Sequence, residues 1–539
     1  MSVIPKINGK RVYSQLTGFK KRHPDLEHEL WDVIVVGSGM AGMTAAAALA
    51  KYGKKVLVLE KHYLPGGMSH MFARKGSQWD VGIHAIGDMH QGAKTRRQFD
   101  WLTDGRLKMH PAGDPYDVFH FPDNYIFPLS SSVSKLKDDL HREFPEEIEA
   151  IDKYIAYCLK SAQQAIPYFA FKSLPKGIGM VCDKIWRIIT RDWWSVTTDE
   201  ILSELNASPR LKAVLTGQWG YYGANPKSSS FGMQALIFHH FSNGAYYPEN
   251  GSKQIAAYLL DTVNKAEGEC VCKAPVAGFI LDKGKCRGVI LEDGTRLFAK
   301  KTISAMASKL TIEKLPARYS SSKWGRSILS MEQSPAYICL YMKFKGDIKK
   351  YGADAKNHWY INSWDPNEQA LLKLADPQEE IKMCYVSFPS LKDPMHDPGE
   401  EQVHTAECVA FVDWEMFSKW KETVFNKRPQ EYENQKKAIE ENLLKVLTKR
   451  MPEVMKLMVY HELSTPLSTD HFVSSIEGSI YGLASTPQRY NNPNLRIRTP
   501  VKNLYLSGVD IITSGIGGAR GSGLLAAATI VPKIFPKLR

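Results

Sequence analysis

One segment constrains this chain more than any other: two buried strands, a glycine turn and an alanine-rich helix within about 30 residues. Residues 32–36 read Asp-Val-Ile-Val-Val, a β-branched run suited to a strand covered on both faces. Gly37-x-Gly39-x-x-Gly42 comes next, then a helix-forming stretch from Met43 to Tyr52, then Lys-Val-Leu-Val-Leu-Glu over 55–60. Gly37 permits a tight turn, Gly39 lets the backbone approach a pyrophosphate, and Gly42 lets helix and strand pack closely. Ser38, Met40 and Ala41 stand where backbone N–H groups and the positive end of the helix dipole meet phosphate. Glu60, with Lys61 beside it, is placed to accept both ribose hydroxyls and to repel a 2′-phosphate. The segment is a dinucleotide-binding βαβ unit.

The stretch beyond Glu60 selects the dinucleotide. Gly66-Gly67 and Met68 come shortly after the second strand, where a loop can fold over a flavin diphosphate and its ring. An NAD dehydrogenase would ordinarily continue with another helix and strand. Near the C-terminus, Asn503-Leu-Tyr-Leu-Ser-Gly508 reads as a strand ending in glycine, with Asp510 just after it. Ser514-Gly-Ile-Gly-Gly-Ala-Arg-Gly-Ser-Gly523 then opens an apolar helix. Asp510 suits a ribityl hydroxyl or a phosphate-bound water. The helix start around Gly517, Gly518 and Ala519 suits the pyrimidine end of a flavin and negative charge on its reduced form. Val276 begins a strand whose backbone can pair with adenine. Together these predict FAD, held by an α/β Rossmann-like domain of the glutathione-reductase type.

The texture of the chain changes in blocks. Residues 1–30 read as an N-terminal arm, 31–130 as the first part of the FAD domain, and 131–244 as a helical lobe. Residues 245–310 return to short strands as the second FAD part, with a hairpin signal at Asp293-Gly294. Residues 311–455 read as an inserted α+β substrate domain, and 456–539 as the third FAD part. Eight cysteines are scattered without a CxxC pair, which fits buried thiols in a reducing compartment and no metal site. The net charge is +13. No basic–aromatic stretch accompanies it, so nucleic acid is not an expected partner. No run of 18 apolar residues is present and no apolar core lies beyond the basic N-terminal residues, so the expected location is cytoplasmic, free or peripheral on a membrane. Residues 166–194 supply the peripheral reading: Val181, Ile185, Ile188 and Ile189 at helical spacing, with Lys176, Lys184, Arg187, Arg191, Trp186, Trp193 and Trp194. A core-facing helix is the alternative.

From Glu60 to Gly87 the chain reads EKHYLPGGMSHMFARKGSQWDVGIHAIG. With Gly220-Tyr-Tyr-Gly223, Tyr246-Tyr-Pro-Glu-Asn-Gly251, Ser464-Thr-Pro-Leu467, Gly478-Ser-Ile-Tyr-Gly482 and the C-terminal glycine motif, it resembles the phytoene desaturase, carotenoid isomerase and retinol saturase flavoproteins. Gly82-Ile83-His84, His70 and Phe72 lean toward the retinol saturase branch. Animal members carry a hydrophobic leader that residues 1–30 lack, which points to a cytoplasmic relative and leaves retinol itself open as substrate.

The resemblance implies hydride transfer between flavin N5 and a carbon of a polyene or isoprenoid lipid, by saturation, desaturation or isomerisation. The flavin carries the hard step, so an apolar tunnel matters more than an acid–base pair, and no such pair is expected. His84, beside the flavin in related folds, is the first catalytic candidate, with a structural histidine as the alternative. Tyr247 and Tyr481 are candidates for lining the ring. A single complete fingerprint predicts no built-in NAD(P)H domain, hence an external electron donor or acceptor. Two other functions stay open: a flavin amine oxidase, and a non-catalytic prenyl-binding protein of the same fold.

Overall fold

The computed structural model describes residues 4–16, 24–368, 371–372 and 379–538. Two large sheets organise it. The first centres on the Leu30–Val36 strand, flanked in parallel by Arg296–Ser304 and Val56–Leu59. Beyond Val56–Leu59 lie Glu269–Cys272 and Ser14–Gln15, also parallel. On the other side Arg296–Ser304 pairs in parallel with Leu504–Leu506 and continues into the Lys285–Leu291 and Val276–Asp282 hairpins. Residues distant in sequence thus rejoin one sheet.

Crossing from Leu30–Val36 to Val56–Leu59 is the helix Met40–Ala50, every residue of which is buried. It has no polar face to present to water, so it must be covered on all sides. The C-terminal helix Gly515–Ile530 packs across it. Close approach depends on Gly523, where a Cβ would lie 2.4 Å from the carbonyl oxygen of Ala41.

The second sheet runs Ile126–Leu129, Asp117–His120, Asn357–Ile361, Met383–Ser387, Val403–Val412, Ala336–Lys345, Met458–Ser464. Its strands alternate strictly between two environments. Ile338, Leu340, Met342, Cys384, Val386, Cys408 and Ala410 enter one apolar core with the helix Gln430–Arg450. Tyr337, Tyr385, Val409 and Phe411 face the first sheet.

Three boundaries move. The strands Asp117–His120 and Ile126–Leu129, read with the first nucleotide block, pair into the second sheet. So does Met458–Ser464, read with the last block. Part of the N-terminal arm belongs to the first sheet, with Val12, Tyr13 and Leu16 buried. Residues 1–3 and 17–23 of that arm lie outside the described residues.

The 131–244 lobe is helical, with Ile148–Ala170 its longest element. The helix Lys176–Ile189 exposes Ile178, Val181, Ile185, Ile188 and Ile189, the last two at 73% and 67%. Trp193 and Trp194 are not on that surface. They are buried at 1% and 4%, Trp193 donating to Gln164 Oε1 at 2.8 Å and Trp194 stacking on Tyr168. Arg187 and Arg191 are tied to Asp192 and Glu204. Among the described residues no helix is long and apolar enough to cross a membrane, and no cluster of three or more His, Cys, Asp or Glu could hold a metal.

Candidate functional site

The glycine turn behaves as its spacing demands. Gly37 takes φ +99°, a left-handed conformation that side chains resist. A Cβ on Gly42 would lie 2.0 Å from the Gly37 carbonyl oxygen, so only glycine lets the helix start so close to the strand. A Cβ on Gly39 would meet no protein atom within 4 Å. Gly39 instead borders a cavity of about 590 Å³. Gly508 and Gly515, both at positive φ, border the same space and likewise leave room that a Cβ would fill. The backbone is bared here on three turns, a cradle suited to a diphosphate and a planar ring.

Gly37, Met40, Ala41, Glu60, Lys61, Gly67, Met68, His84, Val276, Asp510 and Ala519 also line this cavity, as does Tyr481. Several expected contacts do other work. Ser38 is fully buried behind the wall. Its N–H and hydroxyl both donate to Glu60 Oε2, at 2.9 and 2.6 Å, and its Oγ accepts the Gly66 N–H at 3.1 Å. One serine therefore fixes both the acid at the end of the Val56–Leu59 strand and the Gly-Gly loop. Gly66 takes φ +127° behind the wall, while Gly67 lies so near Gly39 that a Cβ would be 2.9 Å from its Cα. Gly517 and Gly518 do not reach the cavity: Gly515, Ile516 and Ala519 occupy that helical face, and Gly518 packs against the Thr513 carbonyl. Asp510 is less a ligand in waiting than a hub. Its oxygens accept the Ser308 N–H and hydroxyl, each at 2.8 Å, and the Leu483 N–H at 3.0 Å.

Tyr247 is not a lining residue. It is 1% exposed and donates its hydroxyl to Asp80. Tyr221 of the Gly220-Tyr-Tyr-Gly223 motif lines the wall opposite the glycine turns, and the rest of that wall comes from residues that sequence reasoning does not single out: Tyr337, Trp359, Met383, Tyr385, Val409 and Phe411 of the second sheet. These contribute one face of alternating strands, and nothing in their local sequence marks them as a site.

The expectation of no acid–base pair does not hold. His84 Nδ1 lies 3.0 Å from Glu407 Oε2, and the Asp80 N–H donates to Glu407 Oε1 at 2.8 Å. Lys392 donates to the His84 carbonyl at 3.0 Å and to Ser387 Oγ at 2.6 Å. Burial drives each group toward its neutral form. It raises Glu407 to about 8 and, with the nearby Glu407 charge, Asp80 to about 7. It lowers Lys392 to about 8 and His84 to about 4.

A family profile described as an NAD(P)-binding Rossmann-like domain matches residues 35–102. Two solved structures share the fold over nearly the whole chain. A putrescine oxidase mutant covers 94% of this chain and 99% of its own, with TM-score 0.61 and 16% identity. Cyclohexylamine oxidase from Brevibacterium oxydans covers 94% and 100%, with TM-score 0.58 and 17% identity. At such identity they speak for fold alone. Sequence relatives are more informative. Prolycopene isomerase of Arabidopsis thaliana is 25% identical over 539 residues, covering 98% of this chain and 85% of its own. All-trans-retinol 13,14-reductase of Danio rerio is 31% identical over 525 residues, 93% of this chain and 86% of its own. The Homo sapiens protein of that name is 30% identical over 530 residues, 94% and 86%. Glycine cradle, polyaromatic wall and similarity along more than nine-tenths of the sequence agree, and the chain belongs to the retinol saturase-like family of flavoproteins that also holds the carotenoid isomerases.

Proposed function

We propose that this protein binds FAD along the first sheet and saturates a carbon–carbon double bond of a polyene or isoprenoid lipid. The observation that carries the reading is the single cavity shared by the bared glycine turns and the aromatic wall of Trp359, Tyr385 and Phe411. The flavin, when bound, supplies hydride chemistry at N5. The chain's own residues hold it: Glu60 at the ribose, the Gly37–Gly42 turn and Gly67 at the diphosphate, Val276 at the adenine, and Ala519 with the start of Gly515–Ile530 near the ring. The wall excludes water and orients an apolar chain. Saturation is preferred over isomerisation because the retinol reductases match at 30–31% and the prolycopene isomerases at 24–25%. Electrons come from an external donor, since one dinucleotide fingerprint is committed to the flavin. The exposed ridge on Lys176–Ile189 favours a second role for the lobe, docking on an anionic bilayer from which such a lipid is drawn.

The test starts with the purified protein. Heat-released flavin is identified by mass spectrometry, and FAD is expected. The enzyme is then reduced with dithionite under argon and mixed separately with all-trans-retinol, a poly-cis carotene and a primary amine series. The expected result is flavin reoxidation by a polyene, with a product two mass units heavier. Reduction of the oxidised flavin by amines, with no reoxidation by any polyene, would instead establish the amine oxidase reading.

A further inference from the structure

Among the described residues, His84 is the one histidine of the cavity wall backed by a carboxyl that has no exposure at all. The carboxyl of Glu407 is pinned at both oxygens, by the Asp80 N–H and by His84 Nδ1, so it cannot swing away. Nε2 of His84 has no hydrogen-bond partner among the described residues. Every neighbouring element contributes a charged or titratable group. Asp80 is held by Tyr247 and Ser252, Lys392 reaches in from behind, and Tyr385 packs its ring 5.4 Å from that of His84. Tyr341 and Cys339, on the adjacent strand, also feel the Glu407 charge. Burying two acids and a lysine is unfavourable unless they are paired or neutral. A histidine that merely filled space would need none of them.

We propose that Glu407 and His84 form a proton relay that delivers the proton completing saturation of the substrate double bond. The proposal rests on the reductive reading above. The bound cofactor, charged by the external two-electron donor, would supply a hydride, two electrons with a hydrogen nucleus, to one alkene carbon. The π bond breaks, and its electron pair on the neighbouring carbon takes the proton from His84 Nε2 as the new C–H bond forms. Nδ1 takes the Glu407 proton in the same step, so the imidazole stays neutral. The negative charge finishes on Glu407, where the Asp80 N–H and the Lys392 ammonium stabilise it. Water restores the proton after product leaves. His84 is the catalytic residue, since it lines the cavity, and Glu407 acts through it as a positioning residue. Burial favours the needed starting state, with both groups neutral at pH 7.

The test uses the full-length, flavin-loaded enzyme in single turnovers with all-trans-retinol from pH 6 to 10, comparing wild type, E407Q and H84Q. In the wild type the rate should fall above a midpoint near 8. E407Q, with its flavin absorbance retained, should be slower by about a hundredfold and flat over the same range. A second readout needs no turnover: a carboxylic acid C=O infrared band at pH 7 that is absent in E407Q and titrates with the wild-type kinetic midpoint. Should E407Q fail to fold, H84Q decides, and it should lose the alkaline limb while keeping the infrared band. A folded variant with wild-type rate and alkaline limb overturns the relay. A wild type that saturates no polyene at any pH counts against the reductive reading, whereas an active wild type with an unaltered E407Q counts against the relay alone.

Discussion

Gly39 and Gly42 stand three residues apart in one motif and answer to different forces. Gly39 has φ −64° and ψ 174°, open to any residue, and a Cβ there meets only the cavity. Gly42 is closed by the Gly37 carbonyl at 2.0 Å. Gly39→Ala should therefore leave the apoprotein's melting temperature near the wild-type value while weakening flavin retention about tenfold, roughly 1.4 kcal/mol. Gly42→Ala should destabilise the apoprotein itself by about 1–3 kcal/mol or more. Thermal melting of apoprotein together with flavin titration separates the two, and equal effects of both substitutions on melting would refute the division. Gly42 is legible because the Gly37 carbonyl leaves glycine as the sole solution there, and Gly39 because the motif's spacing sets it at the turn where backbone must meet a ligand. Glu407 is not legible, for its partner His84 lies 323 positions away. A lone glutamate inside an apolar run gives no sign of what the fold will set beside it. Tyr247 fails in the other direction: the Tyr-Pro segment draws notice, and the structure buries its hydroxyl on Asp80.

At the scale of elements, Lys176–Ile189 is the helix whose role depends least on the rest of the fold. Its apolar residues recur at positions 178, 181, 185 and 188, one stripe along one face, and the stripe points outward. Lys184 is exposed beside it. An amphipathic helix of this kind gains by burying its stripe at a bilayer interface, with lysine near the headgroups. Ile185→Glu combined with Ile188→Glu should reduce flotation with phosphatidylserine vesicles severalfold at an unchanged melting temperature. Trp193→Ser should instead lower stability, because that ring is packed inside. Undiminished flotation of the double variant would exclude this helix as the contact. The periodicity is thus readable, but which aromatic residues share the exposed face is not, since the chain turns inward after Ile189. The same distinction separates the two sheets. Strands 32–36 and 55–60 announce themselves as short buried runs bounded by glycine or acid. The central strands of the second sheet are covered on both faces, so they lack the polar–apolar alternation that would reveal them, and sequence proximity assigns strands such as Asp117–His120 to the wrong sheet.

For the molecule as a whole, burial of titratable groups sets how stability responds to acid. Burial lowers His70, His84, His120, His240 and His404 each from 6.5 to about 4. A histidine whose folded pKa lies below its unfolded value binds fewer protons when folded over that interval. Its contribution is intact above pH 6.5 and is lost as pH falls toward 4. Asp80 and Glu407 run the opposite way: their raised folded pKa values favour the native state as pH drops from about 8. His62, His239 and His471 are also lowered and Asp117 and Asp470 also raised, so among the described residues eight histidines outweigh four acids and the melting temperature should decline between pH 6.5 and 4. His240 gives the decline a structural cause. Its Nε2 accepts the Gly87 N–H at 2.8 Å, and a proton on that nitrogen would abolish the bond. The contact is close, for a Cβ on Gly87 would lie 1.9 Å from the His240 carbonyl oxygen. Gln at position 240 can offer an acceptor that does not titrate. H240Q should therefore show a shallower loss of melting temperature than wild type on passing from pH 6.5 to 4, with little difference at pH 7.5. Parallel curves for the two proteins across that range would mean that the acid response arises at the other buried histidines.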